Sequence, residues 1–189
     1  MLDRESISSA GPTTSAWPAL GFIYIGGFMI QSFLLEFLSE KNIAFEELSP
    51  EDSQNYPDEW VNRFVPPEKV FWRKHCVSRD ISVQYLWHIF MGSEGLESFE
   101  GDLADKAFDA QDKGACILLD NTNHIAIYVR DASGISSADL HHMCDVTVTD
   151  VGFNWTYSKD HEEYGPFFHD RRVHGYKEAP DGDRVWMWR

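Results

Sequence analysis

The sequence predicts an α+β fold, a largely antiparallel sheet with helices packed on one side, in a single domain. Three observations lead there. The β-rich runs come in pairs joined by short turns, residues 115–119 with 124–129 and 145–149 with 153–157. Helical periodicity lies mainly before them, which argues against a doubly wound parallel sheet. The 189 residues are 43% hydrophobic and 14% aromatic, enough to fill one core without disulfide staples.

Residues 19–35 hold no charge over 17 positions, borderline for a bilayer span. The preceding Asp3, Arg4 and Glu5 do not make the basic start of a signal peptide, and no small-residue cleavage site follows. From Met29 onward Ile30, Phe33, Leu34, Phe37 and Leu38 form one helical stripe, opposite Gln31, Ser32, Glu36, Ser39 and Glu40. Residues 1–28 therefore read as a leader, disordered or untranslated, with a membrane anchor or an ordered arm as alternatives. The domain spans 29–172 and a tail follows over 173–189.

Residues 43–48 alternate like a short strand. Pro50, Glu51, Asp52 and Ser53 open a helix that runs through Trp60 to Phe64, and Pro66 and Pro67 end it. Residues 68–78 suit a helix. Residues 85–91 read as a buried strand or helix end, which so short an apolar run leaves undecided. Between Gly101 and Lys113, Leu103, Ala104, Ala107 and Phe108 make an apolar face opposite four aspartates. A helix capped by Ser136 or Ser137 precedes the second strand pair. The tail, with Gly175, Pro180, Asp181, Gly182 and Asp183, reads as a loop ending in Val185, Trp186, Met187 and Trp188, which should dock.

A net charge of -15 repels phosphate backbones and anionic lipid, so nucleic acid is excluded as a partner and a membrane is disfavoured. Cys76, Cys116 and Cys144 are odd in number and far apart, which suits free thiols in the cytoplasm. There is no phosphate loop, dinucleotide fingerprint, nucleophile elbow or Cys-x-x-Cys pair, and the sequence implies no cofactor.

Several clusters carry potential chemistry. His141, His142, Cys144 and Asp145 are metal-capable but lack the second ligand pair that a structural zinc needs, so no metal is expected. His161 and Glu162 open like a zincin motif, yet Gly165 occupies the place of the second histidine. These two remain weak catalytic candidates together with His88 and Asp150, as general acid or base. Set against that, His161 and Glu162 can simply bond the turn before Gly165 and Pro166, and His88 can be a core histidine. His75 beside Cys76 is a poor pair, because sequence neighbours point apart.

The strongest local signal is electrostatic. Glu94, Glu97, Glu100, Asp102, Asp105, Asp109 and Asp112 are accompanied only by Lys106, net -6. This is either a solvated face or a docking surface for a basic protein partner.

The runs Tyr85-Leu86-Trp87-His88-Ile89-Phe90 and DVGFNWTYSKDHEEYGPFF (150–168) resemble the two signature stretches of a bacterial family, domain of unknown function 4275. The resemblance covers about residues 29–172 and supports a start at Met29. The family pattern has an aromatic-Thr-aromatic strand, then Thr-His-Glu and Gly-Pro-Tyr-Phe. Here Asp160 replaces the threonine before His161, and Phe167 the tyrosine, which weakens any role needing those hydroxyls. The resemblance implies no activity.

Two functions follow as expectations. The first is a non-catalytic interaction protein, immunity- or antitoxin-like, that covers a basic partner with its acidic face. The alternative is a small hydrolase or transferase working through His161 and Glu162.

Overall fold

The computed structural model describes residues 22–25, 28–69, 73, 85–91, 95–178 and 184–188. His75, Cys76, Glu94 and most of the helix expected over 68–78 lie outside the described residues. A hairpin of β1 (Phe22–Ile25) and β2 (Phe28–Gln31) leads into α1 (Phe33–Glu40), β3 (Phe45–Glu47) and α2 (Pro50–Phe64). A 3-10 helix (Leu86–Phe90) precedes β4 (Phe99–Glu100) and α3 (Asp102–Asp109). Then come β5 (Cys116–Asp120), β6 (Ile125–Val129), α4 (Ser137–Leu140), β7 (Val146–Asp150), β8 (Trp155–Ser158) and β9 (Phe167–Asp170). The tail forms β10 (Val173–Glu178) and β11 (Arg184–Trp188).

Seven strands make one antiparallel sheet in the order β3-β6-β5-β7-β8-β9-β4, which is the α+β class the sequence indicates. Both expected strand pairs form, β5 with β6 and β7 with β8. The helices, expected on one side, cover two faces. Leu34, Leu35, Leu38, Ala104, Phe108 and Leu140 pack with Leu118, Ile127, Val148 and Tyr157. Tyr56, Trp60, Phe64, Trp87 and Phe90 pack in a second cluster with Leu119, Ala126 and Phe167. Alternation with period two explains the split, since neighbouring residues of a strand point to opposite faces.

The second face is lined with hydroxyls. Thr147, Thr149, Thr156 and Ser158 are fully buried beneath α2 and bond one another, Thr147 to Ser158 at 2.6 Å and Thr149 to Thr156 at 3.2 Å. The Trp60 indole donates to Thr156 Oγ1 at 3.1 Å. Buried polar atoms need such partners, so this layer ties α2 to a fixed position on the sheet. Ser49 caps α2 by accepting the Asp52 N–H at 3.1 Å, and the Ser53 hydroxyl accepts the Ala126 N–H at 3.2 Å.

Three local expectations change. The first helix begins at Phe33, not Met29, because β2 takes Phe28–Gln31; the Phe33 ring is 73% exposed while Leu34, Leu35 and Leu38 face the core. The 85–91 run is a 3-10 turn. The tail is an antiparallel hairpin, not a loop. Among the described residues, no helix is long and apolar enough to cross a membrane. Cys116 and Cys144 are free thiols, and burial pushes Cys116 up to about 12.

Candidate functional site

Thr147 lies opposite Ser158 in the β7–β8 pair, and continuing this register by two residues sets Asp145 beside Asp160 and His161. Asp145 shares the face of Thr147 and Thr149, the side on which the 3-10 helix packs. Trp87, fully buried, therefore meets it: the indole Nε1 donates to Asp145 Oδ1 at 3.0 Å. The Thr122 hydroxyl donates to Oδ2 at 3.3 Å. Asp145 is 3% exposed and sits in the left-handed region at φ 57°, a conformation that aspartate tolerates better than most residues. Asn121 holds the Asp145 carbonyl through its backbone N–H at 3.0 Å and its side-chain amide at 2.6 Å.

His161 closes the arrangement. Its Nδ1 lies 2.8 Å and 2.9 Å from the two Asp145 oxygens, while the side chain remains 39% exposed. The edges of Tyr85 and Trp87 hold the ring, with centroids at 5.3 Å and 5.9 Å. Nε2 stands 3.7 Å from Glu162 Oε1, too far for a hydrogen bond, so this carboxylate acts through its charge. The loop is pinned by Asp160, buried, whose carboxylate accepts the backbone N–H groups of Glu162 at 2.8 Å, Tyr164 at 3.0 Å and Gly165. Asp160 thus acts as a loop clamp at the position where the family pattern has threonine.

His88 lies on the same patch. Its ring packs on Trp87 at 4.0 Å and on the edge of Tyr85 at 5.9 Å. The two imidazoles are driven in opposite directions. Bonding to Asp145 lifts His161 above the ordinary imidazole value, whereas burial lowers His88. A pair whose environments push proton affinities apart is the pattern of an acid and a base. With Nδ1 held by Asp145, Nε2 is the nitrogen of His161 left to exchange a proton with a bound molecule.

The remaining candidates fall elsewhere. Asp150 lies at the far end of β7, where it caps the turn by accepting the N–H groups of Asn154 at 2.6 Å and Trp155 at 2.9 Å. Of the acidic run, Asp105 accepts the Tyr157 hydroxyl at 2.8 Å, and Asp109 accepts the Ser137 N–H at 2.8 Å and hydroxyl at 2.7 Å. Glu97, Glu100, Asp102 and Asp112 are exposed. His141 and His142 pack edge to face, and among the described residues no group of three His, Cys, Asp or Glu side chains could hold a metal ion.

Sequence reasoning missed the partnership of Asp145, Trp87 and Thr122 with His161. Asp145 figured only as a metal-capable residue. The available signal was the strand pairing, whose register carries the start of β7 to the end of β8.

Fold and site together define a class, an antiparallel α+β protein carrying a carboxylate-oriented histidine at one end of its sheet. The chain belongs to the family described as Domain of unknown function (DUF4275), whose model matches residues 32–168. No curated protein and no solved structure matches the chain. The matched stretch holds both signature runs, and Trp87, His88 and His161 are where the two meet.

Proposed function

We propose that this protein is an acid–base enzyme, a small hydrolase or transferase whose working group is the His161 imidazole. The observation that carries the reading is the Nδ1 contact of an exposed imidazole with a buried carboxylate, which Trp87 and Thr122 hold in place. His161 acts as the proton donor and His88, kept neutral by burial, as the acceptor. Asp145 positions His161 and steadies its charge. No covalent nucleophile is assigned, so the attacking group is water or the second substrate. Glu162 and the net charge of -15 disfavour anionic substrates and suit neutral or cationic ones.

The test is hydrolysis of neutral p-nitrophenyl esters and anilides by the wild-type chain, His161→Ala and His88→Ala. His161→Ala should lose about 10²- to 10⁴-fold in rate, the usual range for a general acid or base. A His161→Ala chain that turns over substrate as fast as wild type overturns the reading.

A second reading is favoured by the exposure of Glu97, Glu100, Asp102 and Asp112, namely docking of a basic protein in the manner of an immunity or antitoxin protein. Neutralising these four should abolish capture of a basic partner at low salt. If capture persists, or none is seen at low salt, this reading falls.

A further inference from the structure

A cavity of about 370 Å³ opens at the same end of the sheet as His161 but on its other face. The alternation of the strands separates the two. Asp145 and Thr147 point toward the 3-10 helix, whereas Val146 and Asp120 share the face of α1. The cavity's apolar wall is Phe33, Leu34, Met143 and Val146, and its rim includes Cys144, an exposed thiol. Its volume falls in the range that holds a small molecule.

One carboxylate faces this space. Asp120 is 6% exposed, and among the described residues its partners are all neutral donors: the Ser32 hydroxyl at 3.0 Å, the Asn123 side-chain amide at 2.8 Å and the Asn123 N–H at 2.9 Å. Oδ1 receives only the last of these, so it retains capacity for another donor. Among the described residues Asp120 bonds no cationic group, and of the other residues lining the cavity only His142 can carry positive charge, so a chain of net charge -15 favours a cation beside this carboxylate. The Phe33 ring lines the same space, a largely exposed apolar surface that a ligand would cover.

We infer that this cavity binds a small organic amine, its ammonium group on Asp120 and its apolar body against Phe33 and Met143. The charge decides the class. A carboxylic or phosphorylated ligand would meet Asp120 with like charge, and a purely apolar one would leave the carboxylate desolvated without a new partner. This site is separate from His161, although the Thr122 hydroxyl touches Asp145 while its residue lines the cavity.

Cys144 offers the readout. The full-length chain is alkylated with iodoacetamide, and the Cys144 peptide is followed by mass spectrometry with increasing phenethylamine, phenethyl alcohol or phenylacetate. Phenethylamine should slow alkylation of Cys144, and the neutral alcohol should need about tenfold more for equal protection, the loss of one charge-assisted hydrogen bond. Phe33→Ala, at a mostly exposed ring, should weaken protection by the amine without unfolding the chain. Asp120→Asn should bring amine and alcohol together. Because Asp120 also holds Ser32 and Asn123, that variant is read only if its circular dichroism matches wild type; the comparison of probes on the unaltered chain decides otherwise. Equal protection by amine and alcohol, stronger protection by phenylacetate, or no protection by the amine overturns the inference.

Discussion

Asp145→Asn isolates the bond on which the proposed acid–base role rests. An asparagine of the same shape keeps Oδ1, which faces both the Trp87 indole and His161 Nδ1 at 2.8 Å, but it removes the negative charge and puts an NH₂, which cannot accept, in place of the oxygen 2.9 Å from Nδ1. A hydrogen bond to a charged group contributes about 1.5–3 kcal/mol, and exposure of His161 places this one near the lower end. The substitution should therefore cost about 1–2 kcal/mol when the imidazole is charged. The folded chain holds the His161 proton more tightly than the ordinary imidazole value of 6.5, chiefly through Asp145. The contribution is fully present below that value and is lost as pH rises through the higher folded one. Urea unfolding followed by tryptophan fluorescence at about pH 5.5 and about pH 9 should show a larger penalty in acid. NMR titration should show His161 losing its proton at lower pH in the variant. Equal penalties at both pH values, or an unmoved His161 titration, refute the reasoning.

Asp160→Ala should cost about 2–3 kcal/mol, since three backbone donors in a loop with Glu163 at φ 62° lose their acceptor; Asp160→Thr should cost less, because one hydroxyl replaces part of the clamp. Urea unfolding checks both, and a loss under about 1 kcal/mol for Asp160→Ala would show that the carboxylate is not the clamp. Asp109→Ala should lose about 1 kcal/mol by leaving the Ser137 N–H and hydroxyl without their acceptor, whereas Asp102→Asn, on an exposed position, should lose nothing measurable. Thermal unfolding of the two variants side by side distinguishes a structural acid from a solvated one.

Strand pairs were the most legible part of the fold, because turn-forming residues 120–123 and the Val151-Gly152 step mark where the chain reverses. The two-sided burial was less so. In β7 the pattern Val-Thr-Val-Thr reads as a strand with one dry and one wet face, yet Thr147 and Thr149 are fully buried, their hydroxyls bonded to Ser158 and Thr156. Hydroxyls that satisfy one another mimic a solvent-facing pattern. β9 went unread for a different reason: Phe167–Asp170 follows directly on the Gly165-Pro166 turn signal, and four residues are too few to show a period. At α1 the stripe holds at Leu34, Phe37 and Leu38, but Leu35 rather than the exposed Phe33 joins them in the core.

His161, Glu162 and His88 were visible as residue types able to move protons, but their grouping was not, because it depends on a strand register and on a short 3-10 turn. The surplus of acid, visible at once in the composition, turns out to bear on the same group. Beyond the Asp145 bond, the charges of Asp145, Glu162 and Asp160 all raise the proton affinity of His161. Burial works against them, yet the balance is a raised value, which keeps the acid form of an exposed imidazole populated closer to neutral pH. Negative potential can therefore serve catalysis as readily as docking. The two uses separate by residue, since Glu162 and Asp160 raise the proton affinity of the imidazole while Glu97, Glu100, Asp102 and Asp112 are exposed on the acidic run around α3. Neutralising the first pair should lower the His161 pKa, and neutralising the second set should leave it in place.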